Sequence, residues 1–253
     1  MRNYFCLPLI ICCLGLITSE GSYGQSGADS SNLRQKELNN AEKVFSKAIG
    51  QQSGLYNGPK YLFYNPLLIR GSAYFEENTS SYGNVNYNGA EYEGVQLIYD
   101  LHKDELIALL YDNASNFYLL KDYVKNFDLL GHHFININTD TLSNNSTIKS
   151  GYYDELYRGR TQILARITKK VEVNMSSTGT MEAFSSFTLQ SEDFFVRKNN
   201  IYYSIASEGA LLRVLKDRNQ QLQRYIKTNK IKFRKDPAGA MATIAAFYDS
   251  LPN

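Results

Sequence analysis

Cysteine is nearly absent from this chain, and its placement is informative. The three cysteines, Cys6, Cys12 and Cys13, all lie in the first thirteen residues. Beyond them no disulfide can form, no thiolate can bind a metal and no thiol can act as a nucleophile. Tryptophan is missing altogether, proline occurs five times and histidine three times. His102, His132 and His133 are therefore the whole imidazole supply for acid–base or metal chemistry. The familiar catalytic signatures are missing too. There is no phosphate loop, Gly-X-Ser-X-Gly elbow, His-Glu-X-X-His helix or calcium loop. No cofactor and no metal site is expected.

The cysteine-bearing stretch itself reads as a secretory signal peptide. Arg2 precedes an apolar run from Phe5 to Ile17, and Ser22-Tyr23-Gly24 supplies small residues before a cleavage point ahead of Gln25. The run is too short to read as a transmembrane helix. A lipoprotein signal on Cys12 or Cys13 is the weaker alternative, since no small residue precedes either. Residues 1–24 are thus expected to direct the protein to the periplasm or outside the cell. A chain without disulfides must be held by its core, which suits a bacterial envelope.

What the chain has in quantity is tyrosine and phenylalanine, twenty and thirteen respectively. Both favour strands. The clearest local signal is Gly83 to Tyr111. Asn88-Gly89 suits a two-residue type I′ turn, which sets Tyr87 opposite Ala90 and Val85 opposite Tyr92. Apolar parity then switches from even to odd at Gly94, where a bulge is expected. His102-Lys103-Asp104 makes the next turn, and Glu105 to Tyr111 returns with apolar residues on both faces.

The rest of the chain falls around this meander. Residues 25–32 are a Gly/Ser-rich leader, and Leu33 to Ile49 carries helical spacing. Tyr61 to Tyr64 and Leu67 to Phe75 are strand candidates interrupted by Pro66, and Asp122 to Phe127 is a candidate helical turn. Thr139 to Ser150 reads as a mobile loop. Tyr152 to Val173 reads as a hairpin whose second strand is buried on one side through Ile163, Ala165, Ile167, Val171 and Val173. Phe184 to Arg197 and Ile201 to Ile205 form a last strand pair. Ser207 and Asp236-Pro237 then start two helices. Strands followed by helices predict an α+β fold: a mainly antiparallel curved or barrel-like sheet with an N-terminal helix and two C-terminal helices. The N-terminal helix and the antiparallel β domain together span 33–206, and a C-terminal helical segment, 207–253, packs on the sheet.

Candidate chemistry is sparse. Asp100, His102 and Asp104 surround one turn, and Asp100 and His102 share a face if the strand runs that far. The competing reading is a solvated turn. His132 and His133 point to opposite faces of a strand, as do Asp154 and Glu155. Charge is more strongly organised. Residues 76–112 carry eight acids against one base; residues 213–235 carry nine bases against one acid, although the net charge is only +2. The bases Arg213, Lys216, Arg224, Lys227, Lys230 and Lys232 are candidate partner-binding residues. Three readings stay open: the basic helix docks on the acidic meander, it meets an anionic partner such as a membrane surface or acidic glycan, or it is a solvated face. A secreted chain makes nucleic acid an improbable partner.

Several stretches together, Gly83-Asn84-Val85-Asn86-Tyr87-Asn88-Gly89-Ala90-Glu91-Tyr92, Leu97-Ile98-Tyr99-Asp100, Tyr152-Tyr153-Asp154-Glu155-Leu156-Tyr157-Arg158-Gly159 and a Lys-rich tail ending Phe247-Tyr248, resemble a group of uncharacterised secreted proteins of Bacteroidota. The resemblance implies an envelope location and brings no catalytic residues. The leading expectation is a non-enzymatic binding module for an envelope component or anionic ligand. The alternatives are a carboxylate/His hydrolase and a carrier of an apolar ligand.

Overall fold

The computed structural model describes residues 33–41, 43–44, 54–56, 58–76, 79–110, 115–142, 147–175 and 183–252. The expected signal peptide and leader, residues 45–49 of the N-terminal helix and the loop after Met175 lie outside the described residues. The chain divides after Leu38. Residues 33–41, 43 and 44 are helical (α1). The architecture below belongs to the second unit, which starts at Asn39.

Among the described residues eleven strands build one mixed, unclosed sheet. They are β1 (Ile69–Arg70), β2 (Ser81–Tyr87), β3 (Ala90–Asp100), β4 (Glu105–Leu109), β5 (Asn116–Tyr118), β6 (Val124–Leu129), β7 (His132–Ile137), β8 (Gly151–Arg158), β9 (Gln162–Met175), β10 (Ala183–Lys198) and β11 (Ile201–Ile205). The order is β1-β10-β9-β8-β7-β6-β2-β3-β4-β5, with β11 also paired to β10. Every ladder is antiparallel except β1 with β10. Three helices follow: α2 (Glu208–Val214), α3 (Asn219–Thr228) and α4 (Pro237–Ser250).

The meander forms in the expected register. Tyr87 pairs with Ala90 and Val85 with Tyr92, while Asn88 and Gly89 take φ of 52° and 83°, as a type I′ turn requires. The register shifts between Gly83 and Val85, and the extra residue on β3 leaves Gly94 at φ 65°. That is the bulge anticipated from the parity change. β2 also pairs with β6 on its other edge, at Val85 with Phe127. There the strands run so close that a side chain at Gly83 would strike the Asp128 carbonyl oxygen.

Both faces of β4 and of the second half of β3 are covered, for separate reasons. Leu97, Tyr99, Leu106 and Ala108 enter a large aromatic core with Phe75, Phe127, Phe134 and Tyr152. Ile98, Ile107 and Leu109 are covered from the other side by Tyr61, Ala73 and Tyr74. The helices cover a different part of the sheet. Leu211, Leu215, Leu222, Met241 and Ile244 pack on Ile163, Ala165, Phe194 and Val196.

Five local expectations change. Of Tyr61–Tyr64 and Leu67–Phe75, only Ile69–Arg70 is strand, because Asn65 gathers the following amides into a turn. Lys121–Tyr123 is a 3-10 turn, and Val124 to Leu129 is strand because β2 and β7 supply partners on both sides. Part of 139–150 is anchored: Thr139–Thr141 is a capped 3-10 turn, Thr147 N donates to Tyr202 O at 3.1 Å and Ile148 is buried. Burial in β9 is two-sided at its start. Ile163 and Ala165 face the helices while Leu164 packs with Tyr153, Phe195 and Tyr202. Further out Val173 is 71% exposed, since no layer covers it. The first C-terminal helix is broken by a 3-10 turn at Lys216–Arg218, where Asp217 is drawn to Lys198 and the Tyr248 hydroxyl.

Candidate functional site

The turn joining β3 to β4 holds Asp100, His102 and Asp104, and it sends them to three different places. Asp100 is fully buried. Its Oδ2 accepts from the Tyr61 and Tyr64 hydroxyls at 2.7 and 2.8 Å, and its Oδ1 accepts from the His102 and Lys103 amides at 2.8 and 3.0 Å. Four donors satisfy this carboxylate, and burial with the Asp100 hydrogen bond pushes the Tyr64 hydroxyl well above the usual phenol range. His102 meets Asp100 through its backbone and not its ring. The ring nitrogen Nδ1 lies 3.1 Å from the Lys169 carbonyl oxygen on β9.

Asp104 has a left-handed φ of 57°. Its Oδ1 accepts from Tyr99 Oη at 2.7 Å, and its Oδ2 meets Lys121 Nζ at 2.7 Å and an Arg166 guanidinium nitrogen at 3.0 Å. The group sits against Gly151, where an added Cβ would lie 2.6 Å from both Asp104 and Arg166. The three residues predicted as a catalytic cluster are thus brought to one turn and do not converge on one point. Asp100 ties down the 61–64 segment, His102 contacts β9, and Asp104 joins β8, β9 and the 121–123 turn.

Sequence reading missed a second histidine–carboxylate arrangement. Phe134 pairs with Asp154 across β7 and β8, which puts His132 and Asp154 on one face. His132 Nδ1 is 2.6 Å from Asp154 Oδ2, and its Nε2 is 3.7 Å from Glu76 Oε1. On the opposite face His133 Nδ1 is 2.6 Å from Asp128 and its Nε2 is 4.0 Å from Glu155. Burial raises the Asp154 carboxyl above its ordinary value, partly offset by His132. The two carboxylates flanking each ring sit on opposite nitrogens, so neither group offers a shared metal point. Among the described residues no cluster of three or more His, Cys, Asp or Glu is arranged for a metal ion. His132 and His133 do point apart, as strand geometry dictates; their partners come from other strands. No local pattern could have found them.

The basic segment is differently placed. Arg213, Lys216, Arg224, Lys227, Lys230, Lys232, Arg234 and Lys235 are all exposed. None makes a side-chain hydrogen bond or ion pair with a described residue, whereas Arg218 donates to the Pro252 carbonyl. Among the described residues no ion pair joins 213–235 to the acidic 76–112 segment. Three surface depressions border the segment. One of about 560 Å³ is lined by Lys198, Asn199, Tyr203, Arg213 and Lys216. A second of about 410 Å³ is lined by Lys230, Lys232 and Lys235, and a third of about 300 Å³ by Arg224, Tyr225 and Phe247. None is lined by the aromatic core, whose rings pack on one another, with Phe127 stacked on Phe134 at 4.7 Å.

No protein-family model matches this chain, and no curated protein and no solved structure is significantly similar to it.

Proposed function

We propose that this protein is a secreted or periplasmic binding module that meets an anionic partner through its C-terminal helical face. One observation carries the reading: eight bases lie exposed between Arg213 and Lys235 with no ion-pair partner among the described residues. Like charges gathered on one surface repel, and uncompensated gatherings of this kind attract polyanions in a salt-dependent way. The helices beneath are fixed to the sheet by Leu211, Leu222 and Ile244, so the charged face is presented on a rigid base. The large hydrophobics with high exposure lie outside these helices, which favours a charge-reading surface here.

The test is retention on a sulfated-polysaccharide matrix across a salt gradient. The native protein elutes late, and a Lys227→Glu, Lys230→Glu, Lys232→Glu variant elutes early with an unchanged unfolding midpoint. Equal elution of the two proteins refutes the proposal.

A second reading, a histidine-dependent hydrolase, rests on His132 in place of His102. Asp154 orients the ring through Nδ1 and leaves Nε2 toward solvent-accessible Glu76, the arrangement a general base needs. A His132→Ala variant that loses hydrolysis of an ester or glycoside substrate supports it; a native protein inert toward such substrates removes it.

A further inference from the structure

The segment from Pro59 to Arg70 reverses the usual placement of side chains. Tyr61 is buried and Tyr64 half-buried, yet Leu62, Phe63, Leu67 and Leu68 are exposed by 74, 47, 91 and 70%. Leucine belongs inside and tyrosine tolerates the surface, so an inverted loop needs a cause. The cause is Asp100. Its carboxylate accepts both tyrosine hydroxyls, which holds those rings inward and turns the intervening apolar side chains out.

The tip is also rigid. Leu67 N donates to Asn65 Oδ1 at 2.9 Å, while Leu68 N and Ile69 N donate to Asn65 O at 3.0 and 3.1 Å. Pro66 fixes the turn further. Beneath it Tyr64 packs edge-on against Phe187 at 4.8 Å, and β1 is pinned to β10. Two leucines are therefore held out by a hydrogen-bonded turn. The segment carries no charge from Tyr61 to Ile69, and exposed bases, Lys60 and Arg70, stand at its two ends.

We propose that the 62–68 loop is a lipid-inserting tip. Leu67 and Leu68 enter the acyl region of a bilayer surface, Leu62 and Phe63 follow at its boundary, and Lys60 and Arg70 reach headgroup phosphates. Basic residues flanking an uncharged apolar turn match the charge layering of a lipid interface. A second copy of the chain is a poorer occupant. The four side chains together expose less than the ~800 Å² per partner of a standard stable interface. The proposal does not rest on the basic helical face, and the two fail separately.

The absence of tryptophan supplies the experiment. In Leu67→Trp the new indole is the only one in the protein, and position 67 is too exposed for the change to disturb packing. The probe is zwitterionic phosphatidylcholine vesicles, with no net charge, at high salt, where attraction by the basic segment is screened. The expected result is a blue shift of the emission and its quenching by bromine-labelled acyl chains. A Leu68→Asp change on this background lowers the partition coefficient by about tenfold or more, while charge reversal at Lys227, Lys230 and Lys232 leaves it unchanged. Emission that stays at the water-exposed position overturns the proposal. So does a blue shift already present without vesicles: one that grows with protein concentration assigns the tip to self-association, and one independent of concentration assigns it to cover by the chain's own residues.

Discussion

In the acidic segment, 76–112, most of the described carboxylates find partners within the molecule; in the basic segment, 213–235, most of the cations are left outside. Glu76 faces His132, Glu91 accepts from Asn86, Glu93 pairs with Lys43, and Asp100 and Asp104 each gather several donors. Glu105 is partly buried, and burial raises its carboxyl above the ordinary value. In 213–235 only Arg218 of the nine bases bonds through its side chain to a described residue. In sequence the two runs look like mirror images. In structure the acids are architectural and the bases are available. Local charge balance therefore says little until the partners are known.

This contrast is best broken from the acidic side. Asp100→Ala orphans two tyrosine hydroxyls and two backbone amides in a buried site, and the expected loss is about 4 kcal/mol. Urea unfolding checks it, and a loss below about 1 kcal/mol shows that Asp100 is not an anchor. Gly151→Ala drives a methyl group into Asp104 and Arg166 at a residue with φ of 149°, costing about 2–3 kcal/mol. The same change on an Asp104→Ala background costs less, because one obstructing group is gone.

A smaller effect concerns pH. The Asp154 carboxyl is raised by burial above its ordinary value, so the folded protein holds this proton more firmly than the unfolded chain does. Its favourable contribution is present below the unfolded-state value and fades as pH rises through the folded one. Asp154→Asn therefore removes part of the slope of stability against pH in that acidic window, read from unfolding midpoints at stepped pH. The smallest effect belongs to the basic side. Single Lys→Ala changes at 227, 230 or 232 move stability by no more than ~0.5 kcal/mol, and a larger loss reveals a structural partner for these bases.

Much of the fold was legible because its signals are local. Asn88-Gly89, the parity change at Gly94, Ser207 and Asp236-Pro237 each act within a few residues, and each appears as expected. Alternation also marked which side chains leave the strand together. It could not say what covers them. Leu164 looked outward-facing by parity, but Tyr153 and Tyr202 arrive to bury it. The candidate site was less legible for the same reason. Asp100, His102 and Asp104 are neighbours in sequence, and the turn that holds them disperses their side chains. His132 and Asp154 are 22 positions apart and meet only because β7 pairs with β8 in one register.

The pairing of β2 with β6 bears on how the chain folds. From β2 to β5, and again from β6 to β11, each ladder joins strands adjacent in sequence. Two half-sheets can therefore zip independently from their own turns, with little loop-closure entropy to overcome. Apart from the short β1, they meet along one ladder, and Gly83 stands in it against Asp128. Docking of the halves closes this ladder and completes the aromatic core that both share. A side chain at position 83 would act as a wedge in that seam.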